Sequence, residues 1–168
     1  MTETALAFGS NVGDRVANIE AAIARLAHNA ELVLMSRSSL YETPPWGVED
    51  QAWFLNACAL FDTDLAPHAL LTLCKSIERD LGRAKTRRWG PRMIDIDILT
   101  YRGPPVSDKR LTIPHPRLVE RGFVLVPLVE IAPDLDVGGL SARDALEHVE
   151  TAGITLFDPY PIATAEGP

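Results

Sequence analysis

Residues 67–101, PHALLTLCKSIERDLGRAKTRRWGPRMIDIDILTY, decide the fold. Pro67 suits the first position of a helix, which runs through Leu81 and is stopped by Gly82. Residues 83–92 then form a loop that contains Gly90 and Pro91. Residues 93–101 alternate with a period of two and predict a strand, with Ile94, Ile96 and Ile98 on one face and Asp95 and Asp97 on the other. Working backwards, residues 53–61 (WFLNACALF) read as a buried strand. Residues 31–41 read as another, broken by the loop that starts at Thr43, Pro44, Pro45, Trp46 and Gly47. Asp14 caps a helix to about His28, with Val16, Ile19, Ile23 and Leu26 at helical spacing. Residues 4–8 form the first strand, ended by Gly9, Ser10 and Asn11, which read as a plain turn.

Working forwards from Tyr101, a Pro-Gly turn at 103–105 leads to Leu111–His115 (LTIPH) and a short helix near 116–121. A third helix is predicted from Phe123 to Ile131 despite Pro127, and a weaker fourth over 141–150. The order is β-α-β-β-α-β with additions. This predicts an α+β fold: a ferredoxin-like βαββαβ core, a mostly antiparallel sheet with helices on one face, and extra C-terminal helices. The expected domain is residues 1–157, with 158–168 as a loosely held tail rich in Pro, Ala and Gly.

Composition limits the function. A 168-residue chain with 46% hydrophobic and 23% charged residues is an ordinary soluble protein. The amino terminus lacks a secretory pattern, and no apolar run approaches the ~20 residues needed to span a bilayer, so a cytoplasmic protein is expected. Cys58 and Cys74 have no metal-type spacing and read as buried thiols in a reducing compartment. A net charge of −7 argues against nucleic acid and anionic membrane as partners. Yet residues 75–92 hold seven of the sixteen basic residues, with only Glu78 and Asp80 against them. That concentration suggests either a local anion site, such as one for a phosphate chain, or a solvated helix end and loop.

Asp95 and Asp97 lie ~7 Å apart along the strand, at its ~3.3 Å rise per residue. Such a pair alone suits a half-exposed strand, but here it follows an arginine-rich loop. Carboxylates for cations beside guanidinium forks for phosphate oxygens are what a metal–polyphosphate complex needs. The chain has no P-loop, no kinase-type glycine loop and no nucleophile elbow, which leaves metal-assisted transfer. His115 sits between two prolines just after the acidic strand, and Arg121-Gly122-Phe123 adds a cation and an aromatic.

The segment Arg88–Leu99 (RWGPRMIDIDIL) resembles the signature of the 6-hydroxymethyl-7,8-dihydropterin pyrophosphokinase family. The resemblance extends from about Ala5 to Leu135 and includes Phe8–Asn11 (FGSN), Tyr41–Pro45 (YETPP), Phe54–Ala57 (FLNA), Leu81–Arg83 (LGR), Leu111–His115 and Arg121–Phe123. It implies an enzyme that moves the β,γ-pyrophosphate of ATP onto the pterin hydroxymethyl oxygen and releases AMP. By the same resemblance, Asp95 and Asp97 hold two magnesium ions, and Arg83 and Arg92 act in catalysis. Lys85, Ile98, Arg110, Thr112, His115 and Arg121 join Arg83 and Arg92 as ATP-binding residues. The pterin is held by Thr43, Pro44, Trp46, Phe54, Asn56, Trp89, Asp95 and Phe123, with the two phenylalanines stacking on the ring. Loops 43–52 and 82–92 are expected to act as lids. Phe54 stands where bacterial members often have tyrosine, and Pro116 where an aromatic is common. The implied site needs no second subunit, so a monomer is expected. The competing readings are a nucleic-acid binder, disfavoured by net charge, and a non-catalytic partner of another folate enzyme, disfavoured by intact Asp95, Asp97, Arg83 and Arg92.

Overall fold

The computed structural model describes residues 1–44, 52–82 and 93–159. In chain order the elements are β1 (Thr2–Ser10), α1 (Arg15–Ala27), β2 (Leu32–Arg37), β3 (Leu40–Thr43), β4 (Phe54–Thr63) and α2 (Pro67–Gly82). There follow β5 (Asp95–Tyr101), β6 (Val106–Ser107), β7 (Thr112–Ile113), a 3-10 turn (Leu118–Glu120), α3 (Gly122–Ile131), α4 (Ala142–Leu146) and β8 (Thr155–Phe157). The Asp14 carboxylate accepts a hydrogen bond from the Ala17 N–H at 3.0 Å and so starts α1, a cap worth about 1 kcal/mol.

The main sheet runs β5-β1-β4-β3-β8, with β2 also on β4, and every pairing is antiparallel. This is the ferredoxin-like plan predicted from the element order. The strand expected over 31–41 is two strands. β2 follows the far end of β4, from Leu32 opposite Thr63 to Arg37 opposite Ala59. β3 follows the near end, from Tyr41 opposite Asn56 to Thr43 opposite Phe54. The break falls at two serines, where side chains take over backbone partners from the ladder: the Ser38 hydroxyl bonds backbone, and the Ser39 N–H donates to the Glu130 carboxylate at 3.0 Å. Ser38 donates its N–H to the Cys58 carbonyl at 2.9 Å, while its Oγ accepts from the Cys58 N–H at 2.9 Å. Ser39 Oγ donates to Glu130 on α3 at 2.7 Å.

On one face of the sheet, Leu6, Phe8, Leu55, Phe61, Ile96 and Ile98 pack under α1 and α2, whose Ile19, Ile23, Leu26, Leu70 and Ile77 complete the core. The two core helices thus lie on one face, as expected, and the added helices take the other. There Ala5, Ala7, Cys58 and Leu99 lie under α3 and α4. The residues on β1 and β4 are small, so α3 (GFVLVPLVEI) can approach closely, and a helix apolar all round must be buried between layers. The fourth helix is shorter than expected, the helix near 116–121 is a 3-10 turn, and β8 had no counterpart in the sequence reading. Among the described residues no helix is long and apolar enough to cross a membrane.

Candidate active site

Strand register puts the site where α3 leaves the sheet uncovered. Gly9 on β1 is opposite Asn56 on one side and Asp95 on the other; Ala7 is opposite Cys58 and Asp97. Asn56, Gly9 and Asp95 thus form one cross-strand row, and Asp97 begins the next. Asp95 and Asp97 share this face while Ile94, Ile96 and Ile98 are buried on the other, as the alternation predicted. Gly9 is a strand residue in the floor, not the turn expected from the sequence. A Cβ there would come 3.3 Å from Asn56 Oδ1 and 3.9 Å from Phe54 Cδ1. Its missing side chain keeps the floor between the amide and the carboxylates low.

A cleft of about 480 Å3 opens above this floor. Thr43, Pro44, Phe54 and Asn56 form one side, Phe123 and Arg121 the other, and Asp95 and Asp97 the end. Asn56 Nδ2 donates to Thr43 Oγ1 at 2.9 Å, which fixes the amide plane and leaves Oδ1 to recognise a donor on a ligand. Arg121 Nη1 lies 3.9 Å from Asp97 Oδ2, and its guanidinium sits 5.6 Å over the Phe123 ring. Burial pulls the Arg121 pKa below its ordinary value, partly offset by Asp97.

Asp97 also borders a second cleft of about 260 Å3. Ile98, Arg110, Thr112 and His115, each expected from the sequence, line it together with Leu71, Lys75, Lys109 and Pro116. Leu71 carries no sequence signal, and Lys75 counts there only as the first of the seven basic residues that suggest an anion site. Their i, i+4 spacing puts both on one face of α2, but only the packing of α2 along β5 aims that face here. Lys75 Nζ donates to Glu78 Oε2 at 3.2 Å, and Glu78 Oε1 accepts from the Ile96 N–H at 2.8 Å, between the two aspartates. Asp108 Oδ1 accepts from the N–H groups of Arg110 and Leu111 at 2.8 and 2.9 Å, and its Oδ2 lies 2.7 Å from His68 Nε2. These bonds, that from Arg110 first, hold the Asp108 carboxyl below the usual carboxylate range. They shape the turn that presents Lys109 and Arg110.

His115 Nδ1 accepts from the Arg117 N–H at 3.2 Å, so in the neutral ring Nε2 carries the proton. Burial lowers the His115 pKa; Arg121 and Arg117 push the same way and Asp97 opposes them. The side chain is therefore a neutral donor at pH 7.

Among the described residues no group of three or more His, Cys, Asp or Glu is placed to hold a metal. The two-carboxylate set fits magnesium, which keeps several waters and takes oxygens from substrate phosphates, rather than a metal that needs an all-protein cage. Trp46, Arg83, Lys85, Trp89 and Arg92 lie outside the described residues, as does most of both expected lids and of the expected tail. Gly82 and Met93, which flank the basic segment, are neighbours: a Cβ on Gly82 would lie 3.7 Å from Met93 Cβ.

Comparison with known proteins shows the family of the chain. The profile of the 7,8-dihydro-6-hydroxymethylpterin-pyrophosphokinase family matches residues 5–133. The chain is 53% identical over 154 residues to the 2-amino-4-hydroxy-6-hydroxymethyldihydropteridine pyrophosphokinase of Methylorubrum extorquens, covering 92% of this chain and 98% of that one. It is 44% identical to the protein of that name from Bacillus subtilis, covering 86% of each chain. The bifunctional folate synthesis protein of Arabidopsis thaliana is 43% identical, but the match spans only 26% of that longer chain. Crystal structures of Plasmodium falciparum HPPK-DHPS share the fold, at a TM-score of 0.65 and 16% identity, over 88% of this chain and 43% of that one. The chain belongs to the 7,8-dihydro-6-hydroxymethylpterin-pyrophosphokinase family.

Proposed function

We propose that this protein transfers the β,γ-pyrophosphate of ATP to the hydroxymethyl oxygen of 6-hydroxymethyl-7,8-dihydropterin in folate biosynthesis, releasing AMP. One observation carries the reading: Asp97 borders both an amide-and-aromatic cleft suited to a flat heterocycle and a cationic cleft suited to a phosphate chain. Phe54 and Phe123 take the ring faces, and Asn56, held by Thr43, reads its edge. Arg110, Thr112, His115 and Arg121 hold the phosphates, His115 through Nε2–H. The bond formed joins the hydroxymethyl oxygen to the β-phosphorus; the bond broken joins that phosphorus to the oxygen kept by AMP. Holding both substrates against one carboxylate turns a bimolecular encounter into an oriented one.

The reading assigns magnesium to Asp95 and Asp97, two ions being the number the sequence resemblance implies. When bound, magnesium neutralises phosphate charge and orients the polyphosphate. Arg83, Arg92, Lys85, Trp89 and Trp46 belong to the proposal through sequence resemblance alone. It also includes residues 1–157 as one catalytic domain, a monomer whose site needs no second chain, and a cytoplasmic location. The buried free thiols of Cys58 and Cys74 fit a reducing compartment.

The test is an incubation with ATP, magnesium and the pterin, scored by nucleotide separation. AMP formed only when the pterin is present is the expected result. ADP would mean ordinary phosphoryl transfer, and no nucleotide change with folded protein would favour the non-catalytic reading. Omitting magnesium should abolish turnover, and turnover that survives a chelator would overturn the metal assignment.

A further inference from the structure

The segment after α4 builds part of the ring cleft, although nothing in its composition marks it as functional. Glu150, Ala152 and Ile154 all line the cleft. The segment has two tight seats. The first is Gly122, between Arg121 and Phe123: a Cβ there would lie 2.4 Å from the Glu150 carbonyl oxygen and 3.2 Å from Ile154 Cδ1. Only a residue without a side chain permits that approach. The second is Gly153, at φ 81°, whose backbone faces the Pro44 ring; a Cβ there would come 3.2 Å from Pro44 Cγ.

Beyond Gly153 the chain becomes β8 and pairs with β3, Thr155 opposite Glu42 and Phe157 opposite Leu40. The end is anchored from the opposite face of the sheet. Arg15 lies 5.4 Å over the Phe157 ring, ion-pairs with Glu42 at 2.8 Å and donates to the Trp53 carbonyl at 2.8 Å. The segment thus joins the start of α3, which carries Phe123, to the end of β3, which carries Thr43 and Pro44. Those elements flank the cleft from opposite sides.

We propose that residues 150–157 act as a strap that sets the width of the ring cleft, with Gly122 and Gly153 as its seats and the Ile154 side chain as its wall. This rests on reading the cleft as the pterin site. The strap holds Phe123 and the Thr43–Pro44 lip at the separation one flat ring requires. It governs pterin affinity without touching the nucleotide cleft, none of whose lining residues it supplies.

The experiment measures pterin binding by ligand fluorescence, KM for each substrate and the thermal midpoint, in wild type, Ile154→Ala, Ile154→Val, Gly122→Ala and Asn56→Ala. Ile154→Ala should raise the pterin KM about fivefold while the ATP KM stays within about twofold, a change of ~1 kcal/mol. Ile154→Val should bring it back near wild type. Gly122→Ala, which must push the strap off its seat, should raise the pterin KM at least about tenfold. If Gly122→Ala does not fold, Ile154→Ala decides, since it only removes atoms from a half-buried side chain. An unchanged pterin KM in Ile154→Ala, or equal rises for both substrates, overturns the strap. Wild type that binds no pterin overturns the reading of the cleft and the strap with it. Loss of pterin binding in Asn56→Ala alone, with Ile154→Ala like wild type, keeps the cleft and removes the strap.

Discussion

The two faces of the sheet use the same strands in opposite ways. Toward α1 and α2, β1, β4 and β5 present Leu6, Phe8, Leu55, Phe61, Ile96 and Ile98 to a fully covered core. Toward α3 they present Ala5, Ala7 and Cys58 under the helix, and then Gly9, Asn56, Asp95 and Asp97 where the helix ends. Each face follows from strand alternation. The difference between them is coverage, and the candidate site lies where coverage stops. The large residues of the packed face hold the strands so rigidly that two carboxylates and an amide on the other keep a fixed spacing.

Substitutions on each face can break this division. Phe61 is fully buried, so Phe61→Ala should cost ~4–5 kcal/mol of stability, read by chemical denaturation. The protein that remains folded should keep wild-type KM values; a changed KM would mean that the faces are coupled. Asp97→Ala should show the reverse, a fall in turnover of at least ~10³, or ~4 kcal/mol in the transition state, with an unchanged thermal midpoint. A loss below tenfold would remove Asp97 from the metal site.

Smaller effects sharpen the picture inside the working face. Gly9→Ala places a methyl 3.3 Å from Asn56 Oδ1 and should raise the pterin KM about tenfold, leaving ATP unaffected. An equal rise for ATP would mean that the floor serves both clefts. Asp108→Asn should raise the ATP KM about threefold by loosening the turn before Leu111. Because its hydrogen bonds hold the Asp108 carboxyl low, its contribution is present above the usual carboxylate range, near pH 4, and is lost only as pH falls through the depressed value. The difference between wild type and variant should therefore stay constant from pH 5 to 8, and a difference that varies there would mean that the Asp108 carboxylate does not control the turn.

Much of this site is legible in the chain because it is local. Asp95 and Asp97 are read from alternation and His115 from its place beside the acidic strand. Other parts are long-range and invisible in one dimension. Ser38 and Ser39 break a strand by bonding to Cys58 and Glu130, partners the sequence does not bring near. Gly9 reads as a turn because its role depends on Asn56 and Asp95 in the flanking strands. Lys75 counts as one more basic residue until α2 is laid along β5.

The sequence by itself determined the order of the βαββαβ core, the acidic pair and the basic segment, since each is a local pattern, and the family, through motifs spread from Ala5 to Leu135. Only the tertiary structure decided that α3 covers part of the second face, that Asp97 borders two clefts, and that residues after α4 return to line one of them. Those are contacts between distant segments, set by which surfaces can pack closely. Gly122 shows the reason in one residue: its lack of a side chain is written in the sequence, but the Glu150 carbonyl that requires it arrives only with the fold.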